Sequence, residues 1–235
     1  MTDIDLTMAV LSIIRDADNA PSLQMIANRG NFLTEELIQV INSLTSQQLI
    51  FSLDKEADRP ITSCRFLTVK ESQQKVDILV SDYLSELAGE GRLYFAYGTN
   101  LNPDHMYQNR CPGSHFLCRG VLEGYRLVFN QSATPGGMAG FERSPGNMVW
   151  GVLYCLPPGG HQILDANQKQ ISQCRKIRVV VKSCFGNLCC DSYRTPADDS
   201  FLPNRQYLEK MYSGAQFFGL PQQYLRWLAA LPISN

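Results

Sequence analysis

One stretch of the chain has the residue types to hold a small anion, Tyr94-Phe95-Ala96-Tyr97-Gly98-Thr99-Asn100-Leu101. Its aromatic and small apolar residues suit a buried strand. The glycine and two small polar residues that follow suit a strand-to-loop turn. Gly98 can take φ > 0 and lets a ligand approach the backbone closely. The N–H groups of Gly98, Thr99 and Asn100 can then form a nest for a carboxylate. Such a turn occurs in many α/β proteins, so its meaning depends on its surroundings. The three histidines, His105, His115 and His161, share no spacing that would unite them, and each reads as a loop or surface residue. The eight cysteines include an adjacent pair, Cys189-Cys190, whose side chains point to opposite faces of a strand. With no paired Cys-x-x-Cys motif, no zinc site and no other metal is expected.

The chain around this stretch is of ordinary globular composition, 44% hydrophobic and 18% charged over 235 residues, room for one large or two small domains. The formal net charge of −1 gives no global attraction to nucleic acid or anionic membrane. The apolar runs are far shorter than a membrane span. The acidic start, MTDIDLTMAVLSIIRDAD, lacks a basic n-region and a small-residue cleavage site, so no secretory signal is expected. Reduced thiols in a cytoplasmic protein follow. Charge is unevenly spread: residues 1–92 hold 8 Lys/Arg against 14 Asp/Glu, and residues 93–235 hold 13 against 8. That supports a boundary at Gly89-Glu90-Gly91-Arg92, with one domain over 1–90 and another over 93–235, and mutual attraction between them.

In the first part, Leu6, Val10, Ile13 and Ile14 recur at helical spacing. A short helix follows at Ser22–Ala27, then a third, capped by Thr34, with Leu37, Val40, Ile41 and Leu44 as its apolar stripe. Strands at Gln48–Phe51 and Cys64–Val69 flank a polar turn, Asp54–Pro60. A fourth helix carries Val76, Leu79, Val80, Tyr83, Leu84 and Leu87 on one side. Three helices, a two-stranded wing and a linking helix resemble a winged helix-turn-helix. The outward positions of the third helix, Glu35, Glu36, Gln39, Asn42, Ser43, Ser46 and Gln47, include no Lys or Arg. Phosphate neutralisation supplies most non-specific DNA affinity, so DNA is a poor partner and a protein partner is expected instead.

In the second part, Asn102-Pro103 opens a helix near Asp104–Asn109, and Arg110-Cys111-Pro112-Gly113 is a turn. Strands are predicted at Val121–Asn130, Met148–Leu156, Ile177–Lys182 and Leu188–Arg194, with bends at Gly124 and Gly151. A short segment at Leu164-Asp165 is helical or a turn. A helix over Asn204–Phe218 is closed by Gly219, and Pro221 sits in the first turn of the last helix. The fold class is α+β: a winged-helix-like module followed by a barrel-like sheet with flanking helices.

The runs YFAYGTNL, NRCPG, GYRLVFN, VWGVLY, LD, LPNRQYL and GAQFFGLPQQYL, in this order from Leu93 to Leu231, resemble the γ-glutamylcyclotransferase family. The resemblance implies a small β-barrel whose Tyr-Gly-Ser-Asn-Leu loop holds the glutamyl α-carboxylate through backbone N–H groups. Here the loop is Tyr97, Gly98, Thr99, Asn100 and Leu101, with threonine for serine. It implies γ-glutamyl amides such as glutathione as substrates, 5-oxoproline as product, and no cofactor. Tyr193 and Tyr207 fit family positions near the pocket, though core packing would explain either.

The reaction needs a proton acceptor, because the protonated α-amine must become neutral before it attacks its own γ-carbonyl; such help is commonly worth about 10²–10⁴ in rate. The family glutamate falls three residues after the Leu-Asp pair, where this chain has Gln168. An amide is close to isosteric but cannot take the proton. Lys169 replaces the usual glycine and Cys174 the usual tyrosine. Asp165, the family's own aspartate, reads as a structural capping residue and Glu123 as a surface charge. Glu142, expected in a pocket loop, is the best substitute base. The leading expectation is a weakly active or inactive γ-glutamyl-binding protein with a regulatory or assembly role. The alternatives are an active cyclotransferase with a relocated base and a ligand-responsive DNA-binding regulator.

Overall fold

The computed structural model describes residues 3–54, 61–130, 136–169 (backbone alone at 168 and 169), 174–195 and 201–234. Its first part contains α1 (Asp3–Asp16), α2 (Leu23–Gly30), α3 (Thr34–Ser46), a hairpin of β1 (Ile50–Ser52) and β2 (Phe66–Thr68), and α4 (Gln73–Gly89). The Ser22 hydroxyl accepts from the Met25 N–H and caps α2. Thr34, expected as the cap of α3, is instead its first residue; Leu33 holds the cap position without a side-chain bond. In the expected turn at 54–60, residues 55–60 lie outside the described residues.

α1 buries more than the predicted stripe. Besides Leu6, Val10, Ile13 and Ile14, both Ala9 and Leu11 are withdrawn from solvent. A helix apolar on every side must lie between two layers. α1 accordingly touches α2, α3 and α4 as well as the barrel strand β4 (His115–Asn130), and one hydrophobic core runs through both parts. Polar contacts reinforce this seam. The Ser12 hydroxyl donates to the Leu117 carbonyl at 2.8 Å. Arg119 meets Asp16 at 3.0 Å and Asp18 at 2.7 Å. Arg178 donates to the Ala88 carbonyl at 2.6 Å.

The chain leaves α4 through residues 90–92 and enters β3 (Leu93–Ala96). β3, β4, β5 (Met138–Cys155), β6 (Arg175–Ser183) and β7 (Gly186–Arg194) form a closed barrel in the order β3-β5-β4-β6-β7. β3 closes it, antiparallel to β5 and parallel to β7. β4 and β5 pair from His115↔Cys155 to Asn130↔Met138. β5 begins well before the Met148 start read from the sequence. Residues 144–147, Ser-Pro-Gly-Asn, look like a turn but sit opposite the bulge at Gly124, where the register passes from Tyr125↔Arg143 to Glu123↔Met148. Pro145 therefore costs no ladder bond. Gly124 has φ 78°, the left-handed conformation that a glycine bulge uses.

The helices after β3 pack on one another and on the barrel. A π-helical turn, His105–Arg110, opens with the His105 N–H donating to Asn102 Oδ1 at 2.9 Å. α5 (Gly160–Lys169) links β5 to β6. α6 (Arg205–Phe217) is capped by Asn204, whose side chain accepts from the Tyr207 N–H. α7 (Gln222–Ala229) is last, with Pro221 at its cap rather than in its first turn. Phe218 stacks on Phe116 at 4.5 Å and anchors the end of α6 to β4. Tyr154, Phe95, Phe116, Phe141 and Phe218 are the bulkiest fully buried side chains, each contributing roughly 1.5–3 kcal/mol of burial free energy.

Candidate active site

Where β3 ends, the chain passes through Tyr97 and Gly98 into a single 3₁₀ turn, Thr99–Leu101. The turn's own bonds run from the Leu101 N–H to the Gly98 carbonyl and from the Asn102 N–H to the Thr99 carbonyl, each 3.0 Å. Gly98 has φ −101°, so the left-handed freedom expected of it is not used. Its missing side chain matters for space instead: a Cβ there would lie 3.3 Å from Tyr207 Oη and 3.4 Å from Ala139 Cβ.

A small pocket opens over this turn, lined by Tyr94, Tyr97, Gly98, Thr99, Asn100, Arg110, Met138, Ala139, Cys174, Tyr193 and Tyr207. Six of the expected site residues thus come together: Tyr97, Gly98, Thr99, Asn100, Tyr193 and Tyr207. Leu101 does not line the pocket; it is fully buried beneath the turn. Arg110, Tyr94, Met138, Ala139 and Cys174 had not been singled out as pocket residues; for Arg110 the available signal was its place in the NRCPG run.

The pocket walls are tied together by hydrogen bonds. The Tyr97 hydroxyl donates to the Tyr193 carbonyl at 2.7 Å, and its ring sits edge-on to Phe141 at 5.0 Å. The buried Asn100 amide donates to the Tyr94 hydroxyl at 2.8 Å. Arg110 Nε donates back to Asn100 Oδ1 at 3.4 Å. The Tyr207 hydroxyl, on α6, accepts the Ala139 N–H at 2.9 Å. Burial pushes Tyr207 up to about 12 and the Cys174 thiol up to about 11, so both are neutral near pH 7. Arg110 is the one charged side chain among the described lining residues. A site with one cation, four tyrosines and no lining carboxylate is suited to an anion.

The expected base positions do not supply a carboxylate to this lining. Gln168 lies in the last turn of α5, and its side chain and that of Lys169 are outside the described part of the structure. Glu142 is not in a pocket loop. It lies in β5 opposite Arg126, whose Nε donates to it at 2.6 Å, so its charge is engaged on the barrel wall. Glu123 pairs with Lys182 on the surface at 3.1 Å. Asp165 caps nothing at the start of α5; from mid-helix its Oδ1 accepts the Tyr193 hydroxyl at 2.5 Å.

The histidines remain separate. His115 stacks on Phe32 and donates from Nδ1 to the Gly30 carbonyl at 2.7 Å, a structural contact of the seam. Burial, with Arg110 and Lys210 adding to it, pushes His105 down to about 4. His161 lies 3.2 Å from Asp191 but is not aligned for a hydrogen bond; burial pushes it down and Asp191 opposes that. All eight cysteines are free thiols, with Cys189 exposed and its neighbour Cys190 buried. Among the described residues no cluster of His, Cys, Asp and Glu could hold a metal ion, and no helix is long and apolar enough to cross a membrane.

The profile of the AIG2-like family matches residues 148–228. Gamma-glutamylcyclotransferase from Mus musculus is 32% identical over 151 residues, 61% of this chain and 80% of the mouse protein. The chain belongs to the γ-glutamylcyclotransferase family. The Homo sapiens protein of the same name is 31% identical over 60% of this chain and 79% of its own length. A solved structure titled "Gamma-glutamyl cyclotransferase" superposes with a TM-score of 0.57 at 32% identity, covering 61% of this chain and 89% of that one. The five-stranded barrel with its helices is therefore a γ-glutamylcyclotransferase fold.

Proposed function

We propose that the Gly98 pocket binds the γ-glutamyl end of a small molecule, and that this chain converts such compounds to 5-oxoproline slowly. The observation that carries the reading is the composition of the pocket. A polar turn and Arg110 face a cavity whose described lining holds no carboxylate. The N–H groups of Gly98, Thr99 and Asn100 are not those used in the turn's own bonds. They and Arg110 hold the α-carboxylate, and the tyrosines enclose the carbon chain. Gln168, at the position of the family's base, accounts for the slow chemistry, since an amide cannot accept the amine's proton. No cofactor takes part.

In the same reading, residues 1–90 are a winged-helix-like module that meets a protein partner, residues 93–235 are the ligand domain, and the protein works in the cytoplasm. The exposed face of α3 carries Glu35 and Glu36 with no basic residue, which favours a protein over DNA. A mobility-shift titration at physiological salt should therefore show no salt-sensitive binding of generic duplex DNA; micromolar affinity falling steeply with salt would favour a DNA-binding regulator.

The ligand reading is tested by calorimetry and ligand-observed NMR with glutathione, γ-glutamylalanine and 5-oxoproline. At least one should bind in competition with the others. No interaction with any of them would contradict the reading.

A further inference from the structure

We propose that the proton acceptor for the cyclisation in this chain is Asp165, working through the hydroxyl of Tyr193. The inference rests on the γ-glutamyl reading of the pocket and goes beyond it by naming how the amine is deprotonated.

Three observations converge on this pair. Tyr193 lines the pocket, and its hydroxyl donates to Asp165 Oδ1 at 2.5 Å, the length of a charge-assisted O–H···O⁻ bond. Asp165 lies three residues before position 168 in the same helix, α5, so the two positions are one helical turn apart along the chain. Among the described residues it is also the one carboxylate hydrogen-bonded to the side chain of a residue lining the pocket. Glu142 is taken up by Arg126, Glu123 by Lys182, and Asp191 faces His161, Lys176 and Arg178. Lys176 Nζ stands 3.9 Å from Asp165 Oδ2, a cation next to the oxygen that Tyr193 does not use. Burial and the Asp165 carboxylate both hold the Tyr193 hydroxyl well above the usual phenol range, so it rests as a neutral donor.

The step balances as a relay. A proton of the substrate α-ammonium passes to Tyr193 Oη as the phenol's own proton passes to Asp165 Oδ1. The amine lone pair then forms the bond to the γ-carbonyl carbon. When the tetrahedral centre collapses, the γ-amide C–N bond breaks and the proton returns from Asp165 through Tyr193 to the leaving nitrogen. The ring nitrogen sheds its second proton, which ends on the departing amine. The products are 5-oxoproline and a protonated amine; no oxidant, metal or further reactant enters. Asp165 is a positioning and proton-holding residue, and Tyr193 is the group that meets the substrate.

The test compares the unaltered chain with Asp165→Asn, Tyr193→Phe and the double variant. For each, 5-oxoproline affinity is measured by calorimetry and 5-oxoproline release from γ-glutamylalanine by mass spectrometry. Asparagine keeps an oxygen to accept the Tyr193 hydroxyl, so Asp165→Asn preserves the contact and removes the proton acceptor. The relay predicts a fall in kcat of about tenfold or more in each single variant. The double variant should be no slower than the worse single one, because the two act as a unit. Affinity for 5-oxoproline should stay within about twofold in Asp165→Asn. An unchanged kcat in Asp165→Asn, or a loss of kcat matched by loss of affinity, would overturn the relay. So would binding by the unaltered chain with no release above blank, which would leave the binding reading intact. Failure to bind any γ-glutamyl compound would remove both.

Discussion

One side of the pocket is the backbone of a tight turn; another is the side chain of Tyr193 on β7, backed by Asp165 of α5. The turn at Thr99–Leu101 is held by its own hydrogen bonds and by Asn100, whose amide, carbonyl and Oδ1 engage Tyr94, Tyr154 and Arg110. Exchanging serine for threonine there leaves the N–H groups in place. In the proposed reading the other side depends on side-chain identity, and Gln168, Lys169 and Cys174 stand where the family resemblance implies glutamate, glycine and tyrosine. A backbone site tolerates sequence change that a catalytic carboxylate does not. On the proposed function, that difference would let a protein keep its ligand while losing rate.

The comparison can be broken most severely at the turn. Gly98→Val places a branched side chain where a Cβ already meets Tyr207 and Ala139 at 3.3–3.4 Å. Calorimetry should show 5-oxoproline binding lost altogether, with the melting temperature moved far less. Retained affinity would mean that the ligand does not approach the turn. Arg110→Ala should act less strongly, weakening binding about 10- to 100-fold, the usual worth of a charge-assisted bond. A fall in kcat without loss of affinity would move Arg110 to the reacting end.

Acid should weaken the fold as a whole. His105, His115 and His161 all have folded-state values below the ordinary 6.5. The unfolded chain therefore binds more protons as the pH falls, and stability drops from about pH 6.5 towards the His105 value of about 4. Urea midpoints should be lower at pH 5 than at pH 7.5. A flat profile would mean that the imidazoles are not held neutral. The smallest effect is expected for Asn204→Ala, which removes the cap of the helix carrying Tyr207 and should cost about 1 kcal/mol.

The sequence carried what depends on local pattern. The order of elements in both parts and the gathering of Gly98, Tyr193 and Tyr207 were all readable from periodicity, turn residues and family likeness. What escaped depends on partners distant in the chain. Ala9 and Leu11 are buried because α1 lies against β4. The strand predicted from Met148 begins at Met138, because residues 144–147 are an excursion opposite a bulge, and this places Glu142 on the barrel wall rather than in a pocket loop. Gly98 reads as a left-handed glycine, yet the structure uses its missing side chain. The Tyr193–Asp165 bond joins residues that no local spacing pairs.

The central claim is that the pocket holds γ-glutamyl compounds while position 168 lacks the carboxylate that would turn them over quickly. The direct measurement is steady-state 5-oxoproline release from γ-glutamylalanine by the unaltered chain and by Gln168→Glu. The account predicts slow release by the unaltered chain and a rise of at least about tenfold in kcat for Gln168→Glu, with 5-oxoproline affinity unchanged. Rapid release by the unaltered chain, indifferent to Gln168→Glu, would contradict it.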